Sequence, residues 1–342
     1  MKRVSHSRYL LLYLVICRML KSKKSNRVTG SVLTRKQRAK TAKRSLIKYW
    51  DLYLLLIPVL IFFIVFKYRP IAELIMAFKN YKFNLGAWNS PWANSFGFGH
   101  FIRFFKNAYF KEIVWNTFSL SALNLIFGFP IPIILALIMN ELTNKRFKNT
   151  LQMVTYAPHF ISTVILVAIM EAMLSPSTGV INQFISALGN EPIYFFGTPS
   201  WFKPMYIISG IWQNAGYKSI VFLATLSNID PQHIEAAKID GANRFHVMRY
   251  ITIPAIIPTA VILLIMDAGK VMNVGFEKAF LMQNDMNVRV SEVISTYVYR
   301  SGIEGAQFSY AAAVGLFNSV INVILLILVN KISKKLTETS LW

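Results

Sequence analysis

The sequence predicts an all-α membrane protein with six core transmembrane helices and both termini on the cytoplasmic side. Three observations predict it. Of 342 residues, 54% are hydrophobic, against roughly 45–50% in an ordinary soluble domain. Apolar stretches of spanning length recur six times along the chain. The basic residues between those stretches gather in segments that alternate sides.

Each span follows from length and apolarity, since a membrane helix needs about 20 mainly apolar residues. The first is 52–66, flanked by Trp50 and Tyr68 as interfacial aromatics. The second is 113–139, with Pro130 and Pro132, which membrane helices tolerate. The third is 151–173, the fourth 205–226, the fifth 255–276 and the sixth 311–329.

The net charge of +22 is unevenly spread: residues 1–48 hold 15 Lys or Arg and no Asp or Glu. Ahead of a hydrophobic span, such an arm reads as a cytoplasmic tail, 1–49, beside anionic membrane lipid rather than as a nucleic-acid arm. Within it the apolar run 9–17 is too short to span, and no small-residue cleavage site follows. It is either a surface segment or the product of a start upstream of Met19. Lys145, Arg146 and Lys148, then Lys238, Arg244 and Arg249, then Lys331, Lys334 and Lys335 fall on the same side as the tail. The 67–112 loop belongs outside despite its own lysines and arginines, because long loops obey the charge rule weakly. Its aromatic, Gly-rich stretch 88–105 reads as a small folded cap. The single cysteine, Cys17, excludes an intramolecular disulfide and a Cys-rich zinc site.

The segment 228–254, between spans four and five, carries the most information. Asp230 can cap a helix whose first position is Pro231. Glu235, Ala236 and Ala237 favour helix, Gly241 turns the chain, and a second helical stretch, 242–250, runs to Pro254. This is a short hairpin on the cytoplasmic face, suited to a groove on a partner.

The spacing of Glu235-Ala236-Ala237, Gly241, Ile251 and Pro254 resembles the signature loop of permeases of ATP-binding-cassette (ABC) importers, with Ile253 at the usual Leu. Asp240-Gly241-Ala242 resembles the form found in sugar importers. Residues 212–217, Trp-Gln-Asn-Ala-Gly-Tyr, and 273–277, Asn-Val-Gly-Phe-Glu, resemble class 1 carbohydrate permeases of the lipoprotein and polygalacturonan type. The resemblance covers roughly 50–342 and implies a type I importer permease in a bacterial inner membrane. It implies four partners: a second homologous permease, an ABC ATPase dimer, an extracytoplasmic sugar-binding protein and an oligosaccharide. Glu235 would pair with a basic residue of the ATPase. ATP and Mg would sit in that subunit; this chain has no G-x-x-x-x-G-K-[ST] sequence and is expected to hold no cofactor or metal and to catalyse nothing itself.

Intramembrane charges cost about 2.5–3.5 kcal/mol each on insertion scales, so each needs a reason. Glu171, Lys218, Asp267 and Lys270 are the four. By the same resemblance to maltose-type permeases, spans four and five line the sugar path. Tyr217 would stack on a sugar, and Asp267, Lys270, Val271 and Val274 would lie at helix-five contacts. The family has small polar side chains there, so the charged pair and the valines depart from it and suggest a uronic-acid-containing or sulfated sugar. Two readings are open for Asp267 and Lys270, at i and i+3 on one helix face: substrate contact, or pairing with each other. Asn214, Gln213 and Asn273 read as hydrogen-bonding residues, to substrate or between helices.

Other classes explain less. The five histidines form no metalloprotease pattern, and no Gly-x-Ser-x-Gly is present, which removes the usual intramembrane enzyme constellations. A secondary transporter or facilitative channel would explain the spans and charges but not the hairpin.

Overall fold

The computed structural model describes residues 48–337 and Ser340. The basic tail therefore lies outside the described residues, apart from Lys48 and Tyr49. Among the described residues the structure is helical, with one isolated antiparallel bridge, Lys79 to Trp92. The chain divides into two units, 1–71 and 72–342. The first contains α1, Trp50–Phe63, extended by a π turn at Ile64–Tyr68. None of the α1 side chains is buried, as expected of an apolar helix facing lipid or another subunit.

The second unit holds the other helices. Before them, the stretch expected to fold does so: Phe78, Phe98 and Phe101 cluster with centroids 5.3–5.8 Å apart. Phe104, 1% exposed, packs edge-on against Phe110 and Phe317. The second predicted span is two helices, α2 Phe110–Gly128 and α3 Pro130–Glu141. The join falls at Pro130, which has no N–H to donate.

The third predicted span is not continuous. It divides into α4, Lys145–Tyr156, and α5, Thr163–Leu174, on axes bent by 100°. A 3-10 turn at Ala157–Phe160 contains Pro158, Ile161 is extended, and Ser162 starts α5 by accepting from Ile165 N. Proline and an N-cap within five residues override a run of apolar side chains that alone reads as one helix.

The fourth predicted span is α6, Pro199–Leu226, 28 residues and about 42 Å long at 1.5 Å per residue. It is the hub of the unit, packing against α2, α3 and α4. At Gly216 a Cβ would stand 2.1 Å from the Thr155 carbonyl oxygen, so only glycine lets α4 approach this closely. Gln213 Nε2 donates to Ile161 O at 2.8 Å, tying α6 to the break in the third span.

The cytoplasm-facing hairpin of the prediction is α7, Pro231–Ile239, followed by α8, Arg244–Val247. A π turn, Met248–Thr252, joins α8 without a break to α9, Ile253–Ala268. The fifth span therefore ends earlier than the predicted 276. Residues 269–275 are irregular and lead into α10, Phe276–Met282. Asn322 holds this irregular segment by accepting from Met272 N at 2.9 Å and donating to Asn273 Oδ1 at 3.1 Å. Between the last two elements Glu292 is drawn to Arg300 at 2.6 Å; burial still pushes its carboxyl above the usual range. The sixth span is α11, Phe308–Thr337.

Among the described residues four helical stretches are long and apolar enough to cross a membrane: Trp50–Phe78, Phe110–Glu141, Arg244–Ala268 and Phe308–Lys335. The bent pair α4–α5 makes a fifth if it counts as one span. α6 has the length but not the apolarity, because Ser209, Gln213, Asn214, Lys218 and Ser219 interrupt it.

Candidate functional site

Two features qualify as functional sites. The first is the hairpin. Asp230 caps α7 by accepting from Gln232 N at 3.0 Å, as its position before Pro231 suggests. The helix ends in a Schellman motif: Gly241 N donates to Lys238 O at 3.1 Å and Ala242 N to Ala237 O at 2.9 Å. Gly241 has φ +82°, the left-handed conformation that favours glycine, with nothing within 4 Å of a built Cβ. Asn243 then caps α8 through His246 N at 2.8 Å, so the second helix starts two residues after the predicted 242. Glu235, Ala236 and Asp240 are exposed and Ala237 is half-buried. Ile239 is 86% exposed, with Phe245 and Tyr250 also outward. These side chains give the tightly capped turn an exposed face that is partly polar and partly apolar.

The second feature is a cavity of about 240 Å³ between α2, α6 and the 269–275 segment. Of the predicted path residues, Asn214, Lys218, Asp267, Lys270, Val271, Asn273 and Val274 line it. Tyr217 is not among the lining residues. The His159 ring stacks on it instead, at 3.9 Å and 6°. His159 Nδ1 also lies 3.0 Å from Asn214 Oδ1. The aromatics that do line the cavity are Phe129 and Tyr206, the latter three turns earlier on α6. Glu171 is exposed on α5, away from the cavity.

The expected pairing of Asp267 with Lys270 is replaced. Because α9 stops at Ala268, the two do not share a helix face. Asp267 Oδ2 instead faces Lys218 Nζ at 3.7 Å, with both side chains about half exposed. Lys270 forms no ion pair with a described residue. Asn273 realises its interhelical reading, accepting from both Asn318 and Asn322 of α11.

One charged lining residue lay outside every sequence expectation. Lys278, on α10, is 8% exposed. Its Nζ donates to Tyr206 O at 2.7 Å and sits 4.6 Å from the Tyr206 ring centre. The available signal was its place just after the Asn-Val-Gly-Phe-Glu stretch, but it falls beyond the predicted end of span five. Three lysines against one aspartate leave the cavity with a formal charge of +2. Amides of Asn124, Gln213 and Asn214 surround them. Ammonium groups with amide neighbours suit a ligand that is both hydroxylated and anionic. Among the described residues no His, Cys, Asp and Glu cluster could hold a metal.

The comparisons agree on a class. Residues 128–338 match the family model described as the binding-protein-dependent transport system inner membrane component. Protein LplB of Bacillus subtilis (strain 168) is 44% identical over 291 residues, 85% of this chain and 91% of that protein. The polygalacturonan/rhamnogalacturonan transport system permease protein YteP of the same organism is 41% identical, over 91% of this chain and 96% of that protein. A chain in the crystal structure of a bacterial alginate ABC transporter, in complex with an alginate pentasaccharide-bound periplasmic protein, superposes with a TM-score of 0.80. It is 40% identical and covers 87% of this chain and 99% of that one.

Proposed function

The chain belongs to the family of binding-protein-dependent transport system inner membrane components, and from that premise we propose that it forms half of the path by which uronate-containing oligosaccharides enter the cell. It is a transmembrane permease subunit of an ATP-driven sugar importer in the bacterial inner membrane. It is a transport subunit, not the ATPase; its partners are a second permease, an ATPase and an extracytoplasmic binding protein. ATP and Mg belong, on this proposal, to the ATPase subunit. Six spans with N-in and C-in topology, a cytoplasmic tail 1–49, an outer loop 67–112 and a coupling hairpin 228–254 complete the proposal.

The observation that carries the substrate class is the cavity charge of +2 among amide groups. Lys270 is the primary anion contact: it lines the cavity and is not engaged by Asp267. Lys218 stays partly neutralised by Asp267, which in turn can accept from sugar hydroxyls. The relatives point the same way, since one is a polygalacturonan/rhamnogalacturonan permease and another belongs to an alginate transporter. Tyr217 supports the path by holding His159 against Asn214. In the coupling hairpin, Glu235 meets a basic residue of the ATPase and Gly241 sets the turn. ATP-driven closure of the ATPase then rocks the spans as rigid bodies.

The test is uptake into proteoliposomes holding both permeases, the ATPase and the binding protein. The wild-type complex takes up acidic oligosaccharides and discriminates against neutral ones of the same length. Lys270→Met lowers acidic uptake about tenfold or more, the effect of one charge-assisted bond, and leaves assembly and basal ATP hydrolysis intact. Equal uptake of neutral and acidic sugars by wild type would overturn the substrate class.

A further inference from the structure

Lys278 is a buried lysine with no carboxylate at ion-pair distance among the described residues. Among the described residues it forms no ion pair, and one of its three donors is used, on the Tyr206 carbonyl. A buried lysine without a counter-charge is unfavourable unless water or a ligand completes it. Its surroundings are kept open for it. At Gly210 a Cβ would lie 3.3 Å from Lys278 Nζ and 3.8 Å from Asn124 Oδ1, so the smallest residue stands where the ammonium meets the cavity. The Tyr206 ring lies against it as a second, weak stabiliser of the cation.

Its position relative to the other cations matters most. Lys278 is seated at Tyr206 and Gly210 of α6, whereas Lys218 is eight residues further along the same helix. At 1.5 Å per residue the two seats are about 12 Å apart along the axis. A carboxylate held by the Lys278 ammonium therefore lies about two helical turns from the backbone that bears Lys218. All these lysines nevertheless line one continuous cavity.

We propose that the cavity holds two separate anion subsites, Lys270 with Lys218 at one and Lys278 at the other, so that it selects oligosaccharides carrying at least two spaced carboxylates. The inference rests on the reading of this cavity as the sugar path. The Tyr206 carbonyl fixes the Lys278 ammonium, and its remaining two donors meet the second carboxylate. A chain with a single terminal uronate satisfies one subsite only and leaves the other ammonium bare.

The experiment uses the complete transporter in proteoliposomes and two size-matched substrates: an oligosaccharide with one uronate and one with uronates at several positions. Wild type takes up the multiply charged sugar with a KM at least about tenfold lower. Lys278→Gln keeps a donor for the Tyr206 carbonyl but removes the charge. It raises the KM of the multiply charged sugar about tenfold, leaves that of the singly charged sugar unchanged, and Lys278→Arg restores the preference. A Lys278→Gln complex with the wild-type preference overturns the proposal, as does an equal KM rise for both sugars, which marks a structural clasp. A wild type with equal KM for the two sugars overturns it too, even if the variant does not assemble. None of these outcomes touches the substrate class, which fails only if acidic sugars are not preferred at all.

Discussion

At the scale of residues, the charges divide into those legible in the sequence and one that was not. Lys218, Asp267 and Lys270 stand out because each interrupts an apolar stretch. Their pairing did not, since it depends on α9 ending at Ala268, one residue beyond Asp267. The break begins at Gly269, and beyond it Asn322 of α11 holds the backbone of Met272, a contact between distant helices that no local pattern announces. Lys278 escaped notice for the same reason: counted from a helix ending at 276, it falls at an interface, where lysine is ordinary. Tyr217 is the converse case. Its place on α6 was legible, but the His159 ring that stacks on it comes from the turn that breaks the third span, and that break was not legible. The Lys218–Asp267 pair yields a prediction. Both partners are about half exposed, so the pair contributes at most about 1 kcal/mol to stability. Asp267→Asn therefore leaves thermal stability nearly unchanged, frees Lys218 and raises the cavity charge. The KM for an acidic oligosaccharide falls several-fold in uptake assays. A higher KM would show instead that the Asp267 carboxylate itself binds the sugar.

At the scale of elements, the hairpin was the most legible part. Asp230, Pro231 and Gly241 each have a local job that needs no tertiary context: cap, first helical position and left-handed turn. The bent third span was the least legible, although Pro158 and Ser162 are its causes and both were in view. An apolar run does not reveal whether a proline sits in a turn or inside a tolerated kink. The hairpin prediction is functional. Glu235→Ala leaves the chain folded, because the side chain is exposed and forms no described ion pair. It reduces co-purification of the ATPase subunit and abolishes sugar-stimulated ATP hydrolysis. Gly241→Val forces a β-branched residue to φ +82°, costs on the order of 1–2 kcal/mol, and reaches the same end by unwinding the turn. Normal sugar-stimulated hydrolysis in both variants would remove this hairpin from the coupling path.

At the scale of the whole molecule, the all-helical class follows from composition, and the order of helices from the spacing of apolar runs. The number of crossings is less direct, because α6 gives up apolarity to line the cavity and tie down the third span. A helix that supplies Gln213, Asn214 and Lys218 to the interior cannot also look like a lipid-facing segment. Topology is open to direct measurement: with Cys17 replaced by serine, single cysteines at Ser95 and Ser340 report the two sides. Ser95→Cys reacts with an impermeant thiol reagent from outside and Ser340→Cys only after permeabilisation; the reverse pattern would invert the topology. The uninterrupted rod Arg244–Ala268 has a further meaning. One of its ends bears the hairpin and the other stops at the cavity segment, so the two are locked at a fixed angular phase. The π turn at Met248–Thr252 holds one residue more than an α-helix would over the same turn. Deleting a residue there would restore regular winding yet swing the docking face by about 100° relative to the lysines. The irregular turn is thus a phase setting: it fixes the angle at which the face of the hairpin stands to the cavity.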